Sequence, residues 1–302
     1  MTTTRAKRLT TDNDNFVRLD RRSRIKRRIA RTIIYGLLVG GALVTLWPLL
    51  WMVSTSLKPT NEVFRLPPNL IPEVFTPENY IRALFGSDPG FGVFGMNTLV
   101  LELLIVTGTV LTSAMAAYAF SRVRWRGRDI LFGAVLATMM LPTAATLVPI
   151  FIGWAQLGAI DTFWPLAFPA WLGGGAFNIF LLRQFMMTIP RDFDEAAMMD
   201  GASHWYIATR IIMPMVKPAL LVVTIFTFIG TWNDFFGPLI FLTSNDNYTI
   251  ALGLTMFRQL HGTQWNLLMA ATMVTIIPIV IVLFVFQKQI IEGVNLNPGI
   301  KG

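Results

Sequence analysis

The chain contains no cysteine and only two histidines, which excludes several kinds of chemistry before any motif is considered. Without cysteine there is no disulfide, no thiolate metal site and no cysteine nucleophile, and the composition does not indicate a redox compartment. The histidines, His204 and His261, lie far apart in the sequence and have no metal-ligand spacing around them. A metal site is therefore not expected.

Charged residues are scarce as well. They make up 14% of the 302 residues, whereas 54% are hydrophobic and the mean hydropathy is +0.56. The apolar residues occur in blocks of about 20, which is the length that a helix needs to cross a bilayer. The composition therefore predicts an all-α integral membrane protein rather than a soluble domain.

Six apolar blocks are long enough to be transmembrane helices. The first, 32–53, is too long and begins too far into the chain to be a cleaved signal peptide. The others are found at 95–120, from 130 onward, and at 163–185, 218–241 and 265–286. Pro142 and Pro149 fall within the third block, and three consecutive glycines, 173–175, fall near the middle of the fourth. These glycines would either interrupt a helix beside a substrate path or allow close packing of helices.

The distribution of Lys and Arg predicts the orientation in the membrane. Most of these residues lie in the N-terminal tail, the arginine-rich loop after the second span, the polar segment between the fourth and fifth spans, and the C-terminal tail. All four regions are therefore expected in the cytoplasm. The other three loops contain only Lys58, Arg65, Arg82 and Arg258. The expected organisation is a basic tail at 1–31, a six-span membrane domain at 32–288 and a C-terminal tail at 289–302.

The net charge of +8 is concentrated in the N-terminal tail, directly before the first span. A basic flank in this position is typical of contact with anionic membrane lipid, so nucleic acid is not an expected partner. The proline-rich loop at 57–94 contains one further signal. Thr76 as cap and Pro77 at the first helical position predict a short surface helix that runs through Leu84.

The polar segment, residues 190–217, reads as two short helices joined by a turn. Pro190 ends the preceding helix, and Asp192 with Glu195 three residues later has the spacing of a capping box. Gly201 suits the left-handed position at which this first helix would end.

The second short helix of the polar segment has its own start and stop signals. Ser203 is placed to cap it, and Pro214 and Pro218 limit how far it runs before the fifth span begins.

The sequence contains no phosphate-binding loop, no His-Glu metal motif and no G-x-S-x-G elbow, so we do not expect an enzyme or a resident cofactor. A charged side chain inside a span raises the free energy of membrane insertion, so such a residue usually lines a substrate pathway or pairs with another group. The candidate pathway residues, chosen by polarity and depth, are Glu102, Asn178, Trp232, Asn233 and Asp234. Alternatively, the two carboxylates reach the outer membrane interface.

The polar segment resembles the EAA motif of permease subunits in binding-protein-dependent ABC importers. The matching pattern is Glu195-Ala196-Ala197, three residues, Gly201, nine residues, Ile211, one residue and then Met213-Pro214, where Met213 replaces the usual Leu. Other stretches resemble the MalG-like carbohydrate importers from about Arg24 to the end of the chain. They are FTPENY at 75–80, AAYAFSR at 116–122, WNDFFGPLIFLT at 232–243, YTIALGL at 248–254 and the ending at 292–302.

The resemblance implies the permease fold of ABC importers, with six transmembrane helices and both termini in the cytoplasm. It also implies that the polar segment docks on a separate ATPase and couples ATP hydrolysis to transport. The residues expected to make or shape that contact are Glu195, Ala196, Ala197, Asp200, Gly201, Ala202, Ile211 and Pro214. The implied partners are a second, related permease, two ATP-binding subunits that hold the ATP, and an external solute-binding protein in a prokaryotic inner membrane.

Four functions are weighed against one another at this stage. A sugar importer is the first, and the same permease type acting on glycerol phosphate or another polyol is the second. The third, a secondary transporter or channel, does not explain the capped cytoplasmic segment. A membrane enzyme would need a catalytic cluster that the sequence does not contain.

Overall fold

The computed structural model describes the backbone of residues 3–86, 88–259 and 262–294, and the side chains of 28–86, 88–258 and 263–288. His261 and residues 295–302 of the C-terminal tail lie outside the described residues. The helices are α1 Thr3–Ser56, α2 Glu78–Phe85, α3 Phe91–Ser121, α4 Arg128–Thr138, α5 Thr143–Gln156, α6 Trp164–Ala167, α7 Ala176–Met187, α8 Asp192–Met199, α9 His204–Tyr206, α10 Met213–Met215, α11 Lys217–Trp232, α12 Phe236–Phe241, α13 Ile250–Gly253 and α14 Trp265–Val294.

Short irregular elements connect these helices. A π-helical turn, Ile207–Ile212, joins α9 to α10, and 3₁₀ turns cover Phe168–Trp171, Asn245–Asn247 and Leu254–Phe257. Two strands of two residues each, β1 Arg258–Gln259 and β2 Gly262–Thr263, pair in antiparallel register before α14.

Four stretches of the described chain are helices that are long and apolar enough to cross a membrane: Arg28–Ser56, Phe91–Ser121, Trp164–Met187 and Trp265–Lys288. Two bent helix pairs bring the number of spans to as many as six if each pair crosses once. This agrees with the six apolar blocks of the sequence. The N-terminal tail continues the first span without a break, since α1 begins at Thr3.

The third span is two helices rather than one. Between α4 and α5 the chain bends by 98°. Pro142 precedes α5 with an extended ψ of 131°, and it has no N–H with which to continue the hydrogen bonds of α4. The proline thus accounts for the bend, whereas Pro149 is accommodated inside α5.

The fifth span is also interrupted, near its far end. α11 ends at Trp232, and α12 begins only at Phe236. Asp234 lies in the break, where its carboxylate accepts a hydrogen bond of 3.1 Å from the backbone N–H of Gly237. The predicted span over 218–241 therefore contains two helices, because Asp234 stabilises the start of a new helix.

The three glycines of the fourth span form a real break between the 3₁₀ turn and α7, and each has a positive φ. A Cβ on Gly174 would lie 2.5 Å from the carbonyl oxygen of Thr109 in α3. Gly108 of α3 is similarly close to the fourth span, since a Cβ there would lie 2.7 Å from the Trp171 ring. The glycines therefore permit close packing of two spans, which was one of the two alternatives.

The loop between α1 and α3 contains the predicted surface helix as α2, although no side chain caps it and Thr76 does not bond to it as a cap. Buried Asn79 holds α2 in place. Its side-chain amide donates to the carbonyl oxygens of Ser56 and Lys58 at 2.9 and 2.8 Å, and its oxygen accepts from Asn266 of α14 at 3.2 Å. The helix is thus fixed by tertiary hydrogen bonds rather than by a local cap.

Asp161 joins the α5–α6 loop to the loop after α12. Its carboxylate accepts from the backbone N–H groups of Thr243 and Ser244, each at 2.9 Å, and from the Ser244 hydroxyl. Desolvation is the largest single influence and would raise the pKa of Asp161. The hydrogen bonds from Ser244, Thr243 and Asn247 together outweigh it, so the pKa lies below its usual range.

Candidate coupling site

The first helix of the polar segment, α8, ends as the sequence predicted. Gly201 has a φ of +82°, and no atom lies within 4 Å of the position that its Cβ would occupy. The backbone N–H of Ala202 donates to the oxygen of Ala197 at 2.9 Å, and that of Gly201 donates to Met198 at 3.0 Å. This pair of bonds is the Schellman motif, so glycine is favoured there for its conformation and not for space.

The start of α8 differs from the prediction that Asp192 caps it. Arg191 is the N-cap residue and already has helical dihedral angles, φ −72° and ψ −18°. The backbone N–H groups of Asp194 and Glu195 both donate to its carbonyl oxygen, at 2.9 and 3.0 Å. Asp192 therefore lies inside the first turn, where it complements the helix dipole, and the capping box with Glu195 does not form.

The second helix of the polar segment begins as predicted and ends at Met215, between the two prolines expected to limit it. Ser203 caps it, because its Oγ accepts from the N–H of Tyr206 at 3.3 Å. The helical path then continues past Pro214 to Met215 and bends by 79° before α11. Since Pro214 lacks an N–H, the wider π turn before it lets the chain pass without breaking. Pro214 therefore does not end this helix.

A buried ion pair fixes α8 to the membrane helices. Arg122, at the end of α3, places its Nη1 2.7 Å from Oδ2 of Asp194 in the first turn of α8. The exposed fractions of these side chains are only 4% and 8%. A pair buried to this extent is sensitive to the loss of either partner, because the remaining charge has no solvent to stabilise it.

The same guanidinium also binds the end of α7. Its Nη2 donates to the carbonyl oxygens of Ile189, at 2.8 Å, and Met186, and its Nη1 reaches that of Pro190 at 3.5 Å. One side chain thus joins three elements that are distant in sequence: the end of α3, the end of α7 and the first turn of α8.

Apolar packing supports the polar segment from beneath. Ile207, Ala208 and Ile212 are fully buried and belong to one core cluster with residues of α3, α7 and α11. The members of that cluster on these membrane helices are Ala114, Ala117, Tyr118, Leu182, Met186, Ala219 and Val223. The π turn is therefore part of the core, and the segment is attached to three spans at once.

The expected coupling residues divide into an exposed and a supporting set. Those that face outward are Glu195, Ala196, Asp200, Gly201 and Pro214. Those that are half-buried and pack against the core cluster are Ala197, Ala202 and Ile211. Ala196 and Ala197, which are adjacent in the motif, therefore have different surroundings.

Sequence reasoning missed several residues of this site. Large apolar side chains are exposed around the motif: Phe193, Met198, Met199, Trp205 and Tyr206, with Met199 at 88%. Their presence in an otherwise polar loop was the available signal. Arg122 and Asp194 were also missed. Arg122 ends the AAYAFSR stretch, but no local spacing connects it with Asp194.

The five candidate pathway residues have separate surroundings. Glu102 is buried in α3, and neither of its carboxylate oxygens has a hydrogen-bond partner among the described residues. Trp232 is 3% exposed and donates from Nε1 to the oxygen of Thr275 at 3.1 Å, so it lies in the core rather than at an opening. Asn178 and Asn233 each donate to the carbonyl oxygen four residues earlier, at 2.7 and 2.8 Å.

Residues 108–295 match the family model described as the inner membrane component of binding-protein-dependent transport systems. The chain belongs to this family. The trehalose/maltose transport system permease protein MalG of Thermococcus litoralis is 32% identical over 255 residues, which cover 84% of this chain and 91% of MalG. The arabinooligosaccharides transport system permease protein AraQ of Bacillus subtilis is 32% identical over 277 residues, 91% of this chain and 96% of AraQ.

A solved structure supports the same family. The chain superposes on a bacterial ABC transporter involved in the import of the acidic polysaccharide alginate with a TM-score of 0.75 and 27% identity, covering 86% of this chain and 96% of the other. The resemblance and the all-α importer-permease fold expected from the sequence are thereby confirmed. The chain is a multi-pass component of the inner membrane, in a family of transport subunits.

Replacement of Asp194 by Asn should loosen α8, because the buried guanidinium of Arg122 would lose its counter-charge. Breaking a buried pair costs on the order of 3–5 kcal/mol. We expect backbone amides 194–200 to exchange hydrogen for deuterium at least tenfold faster in this variant, measured by mass spectrometry on the purified chain. Asp192→Asn, the same change at an exposed position of the same helix turn, is the matched control. Equal exchange in the two variants would show that the ion pair does not hold α8.

Proposed function

We propose that the chain is the permease subunit of an ATP-driven importer of a mono-, di- or oligosaccharide. The observation that carries this proposal is the polar segment, which has the spacing of the EAA motif and forms a helix-turn-helix projection anchored to three spans. Trehalose, maltose, arabinooligosaccharides and alginate in the names of the similar proteins are all carbohydrates, which supports a sugar as the solute.

The surroundings of the polar segment suit docking on a cytoplasmic ATPase. Lys and Arg counts favour the cytoplasmic side for this segment and for both termini. Its outer face combines Glu195, an acceptor for a basic groove, with small Ala196 and strongly exposed Met199. A small residue flanked by apolar ones permits close approach and burial of apolar area, which stabilises a subunit interface.

The anchored segment also has the rigidity that coupling requires. Displacement of α8 by a partner would be transmitted through the Arg122–Asp194 pair to the ends of α3 and α7, and through the core cluster to α11. Packed helices of this kind move as bodies rather than deform continuously. Closure of two ATPases would thus tilt the spans between inward-facing and outward-facing states.

The importer would contain further subunits besides this chain. We infer a second related permease, two ATP-binding subunits that bind and hydrolyse the ATP, and an external solute-binding protein. The family description, which names binding-protein-dependent transport, supports the last of these. This chain would then contribute half of the translocation pathway through the domain at 32–288, and no cofactor of its own.

The two alternatives weighed from the sequence have less support. The same type of permease could carry glycerol phosphate or another polyol, but the carbohydrate names of the similar proteins do not favour this. A secondary transporter would have no use for the anchored segment with its exposed apolar side chains. Co-purification of an ATP-binding subunit with the full chain distinguishes an importer of either solute from a secondary transporter.

The coupling role predicts a specific defect for Gly201→Val. A β-branched residue at a φ of +82° is strained, at about 1–3 kcal/mol, and would distort the turn at the end of α8 without meeting any neighbouring atom. We expect the importer complex to hydrolyse ATP while sugar uptake into vesicles is lost. Gly201→Asn is the matched control, because asparagine tolerates the left-handed conformation and should retain most of the uptake. Coupled transport in the valine variant at the wild-type rate would contradict the proposal.

We propose further that Glu102 and Asp234 belong to the solute pathway, together with Asn178, Trp232 and Asn233. Glu102 is buried and has no partner among the residues that the structure describes, and burial of an ionisable side chain in this way is typical of a functional position in a membrane protein. The burial of Trp232 confines it to a supporting role unless the helices separate during transport.

The pathway hypothesis predicts that Glu102→Ala and Asp234→Ala lower sugar uptake while the complex still assembles. Asp234→Asn keeps an acceptor for the Gly237 N–H and so separates the loss of charge from the loss of the helix cap. Glu78→Ala, which removes an exposed carboxylate from α2, is the control. Uptake of a panel of labelled disaccharides and oligosaccharides is the measurement. Wild-type uptake by both alanine variants would remove these residues from the pathway.

A further inference from the structure

Arginines from the loop before α4, from α7 and from the start of α8 line two adjoining cavities beside the polar segment. A cleft of about 480 Å³ is lined by Arg124, Arg128 and Arg191 together with Trp125, Asp129 and Ile130. A smaller cavity of about 110 Å³ is lined by Arg128, Arg183 and Arg191, among others. Because Arg128 and Arg191 line both, we treat them as one feature and call it the arginine cleft.

The arginine cleft has an excess of positive charge. Arg128 pairs with Asp129 at 2.9 Å, and Arg122 at the edge of the cleft pairs with Asp194. Within the part of the chain that the structure describes, Arg124, Arg183 and Arg191 form no ion pair with a carboxylate. Arg124 lines the larger cavity, Arg183 lines the smaller one and Arg191 lines both. Like charges this close repel one another unless an anion lies between them.

Arg183 is held so that its guanidinium is available to a ligand. It lies in the last part of α7, and its Nε donates to the carbonyl oxygen of Phe120 at 3.3 Å. Its guanidinium carbon is 4.2 Å from the centre of the Phe132 ring, in cation–π contact. The two terminal nitrogens remain for a bidentate bond to an anion, and the side chain is half-buried rather than a mobile surface charge.

The wall of the cleft continues into an apolar surface. Ile130, which lines the cleft, is 82% exposed, and the next residue, Leu131, is 51% exposed. Both belong to α4, the first half of a bent membrane span. A cationic pocket therefore lies directly at the end of an exposed apolar helix face, which is the arrangement that matches a charged headgroup joined to acyl chains.

We propose that the arginine cleft binds the phosphate of an anionic phospholipid. Arg183 and Arg191 donate to the phosphate oxygens, Arg124 adds charge at the rim, and the acyl chains run along Ile130 and Leu131 of α4. Since Arg191 is also the N-cap residue of α8, a bound lipid contacts the base of the polar segment. This inference does not depend on which solute the protein transports.

The test measures lipid retained by the purified full chain. Native mass spectrometry in detergent, with added dioleoyl phosphatidylglycerol or dioleoyl phosphatidylcholine, gives the affinity for each lipid. Wild type should prefer phosphatidylglycerol. The double variant Arg183→Gln with Arg191→Gln should bind it about tenfold more weakly, since it removes both charged donors to the phosphate.

Matched variants distinguish lipid binding in the arginine cleft from a general effect of positive charge on the protein. Arg82→Gln with Arg258→Gln removes the same charge from two exposed arginines elsewhere and should leave lipid binding unchanged. Arg183→Lys with Arg191→Lys keeps the charge but loses the planar fork, so its affinity should fall between those of wild type and the glutamine variant. Inorganic phosphate at millimolar concentration should not displace the lipid, because it lacks the acyl chains.

Three results would overturn the proposal. The first is equal binding of the two lipids by the wild type. This result would count against the proposal even if the glutamine variant failed to fold. A correctly eluting glutamine variant could retain phosphatidylglycerol with wild-type affinity. Displacement by inorganic phosphate would assign the cleft to a soluble anion instead of a lipid.

Discussion

The position of the polar segment depends on one buried ion pair, between Arg122 at the end of α3 and Asp194 in the first turn of α8. The pair is nearly excluded from water, so its strength comes from the low local dielectric and from the carbonyl oxygens of α7 that share the guanidinium. Neither partner is exposed on the outer face. The pair therefore leaves Glu195, Ala196 and Met199 free for contact while it holds the helix beneath them.

Several membrane helices are interrupted where proline, glycine or a side-chain cap changes the backbone path. Pro142 separates α4 from α5, and the glycines at 173–175 bring the fourth span against α3. Asp234 starts α12 after a break in the fifth span. Helices interrupted in this way can change direction at defined points, which is compatible with a permease that alternates between two arrangements.

Sequence reasoning succeeded where the physical cause is local and failed where it is not. Gly201 and Ser203 were assigned correctly because a left-handed turn and a side-chain cap are decided within a few residues. The cap at Asp192 was wrong by one residue, since Arg191 adopts helical angles after Pro190. The Arg122–Asp194 pair could not be found, because it joins residues 72 positions apart and nothing in a single sequence marks the contact. The burial of Trp232 was missed for the same reason.

The central claim is that the anchored polar segment is the surface on which an ATP-binding subunit docks. The absence of cysteine makes a direct measurement possible, since Ala196→Cys introduces a single thiol on the exposed face and Ser244→Cys introduces one in the loop after α12. Each thiol would carry a maleimide photo-crosslinker, and the crosslinked partner would be identified in membranes that contain the whole importer. We predict a crosslink to an ATP-binding protein from position 196 and none from position 244. The absence of such a crosslink at position 196, or its presence at 244, would contradict the claim.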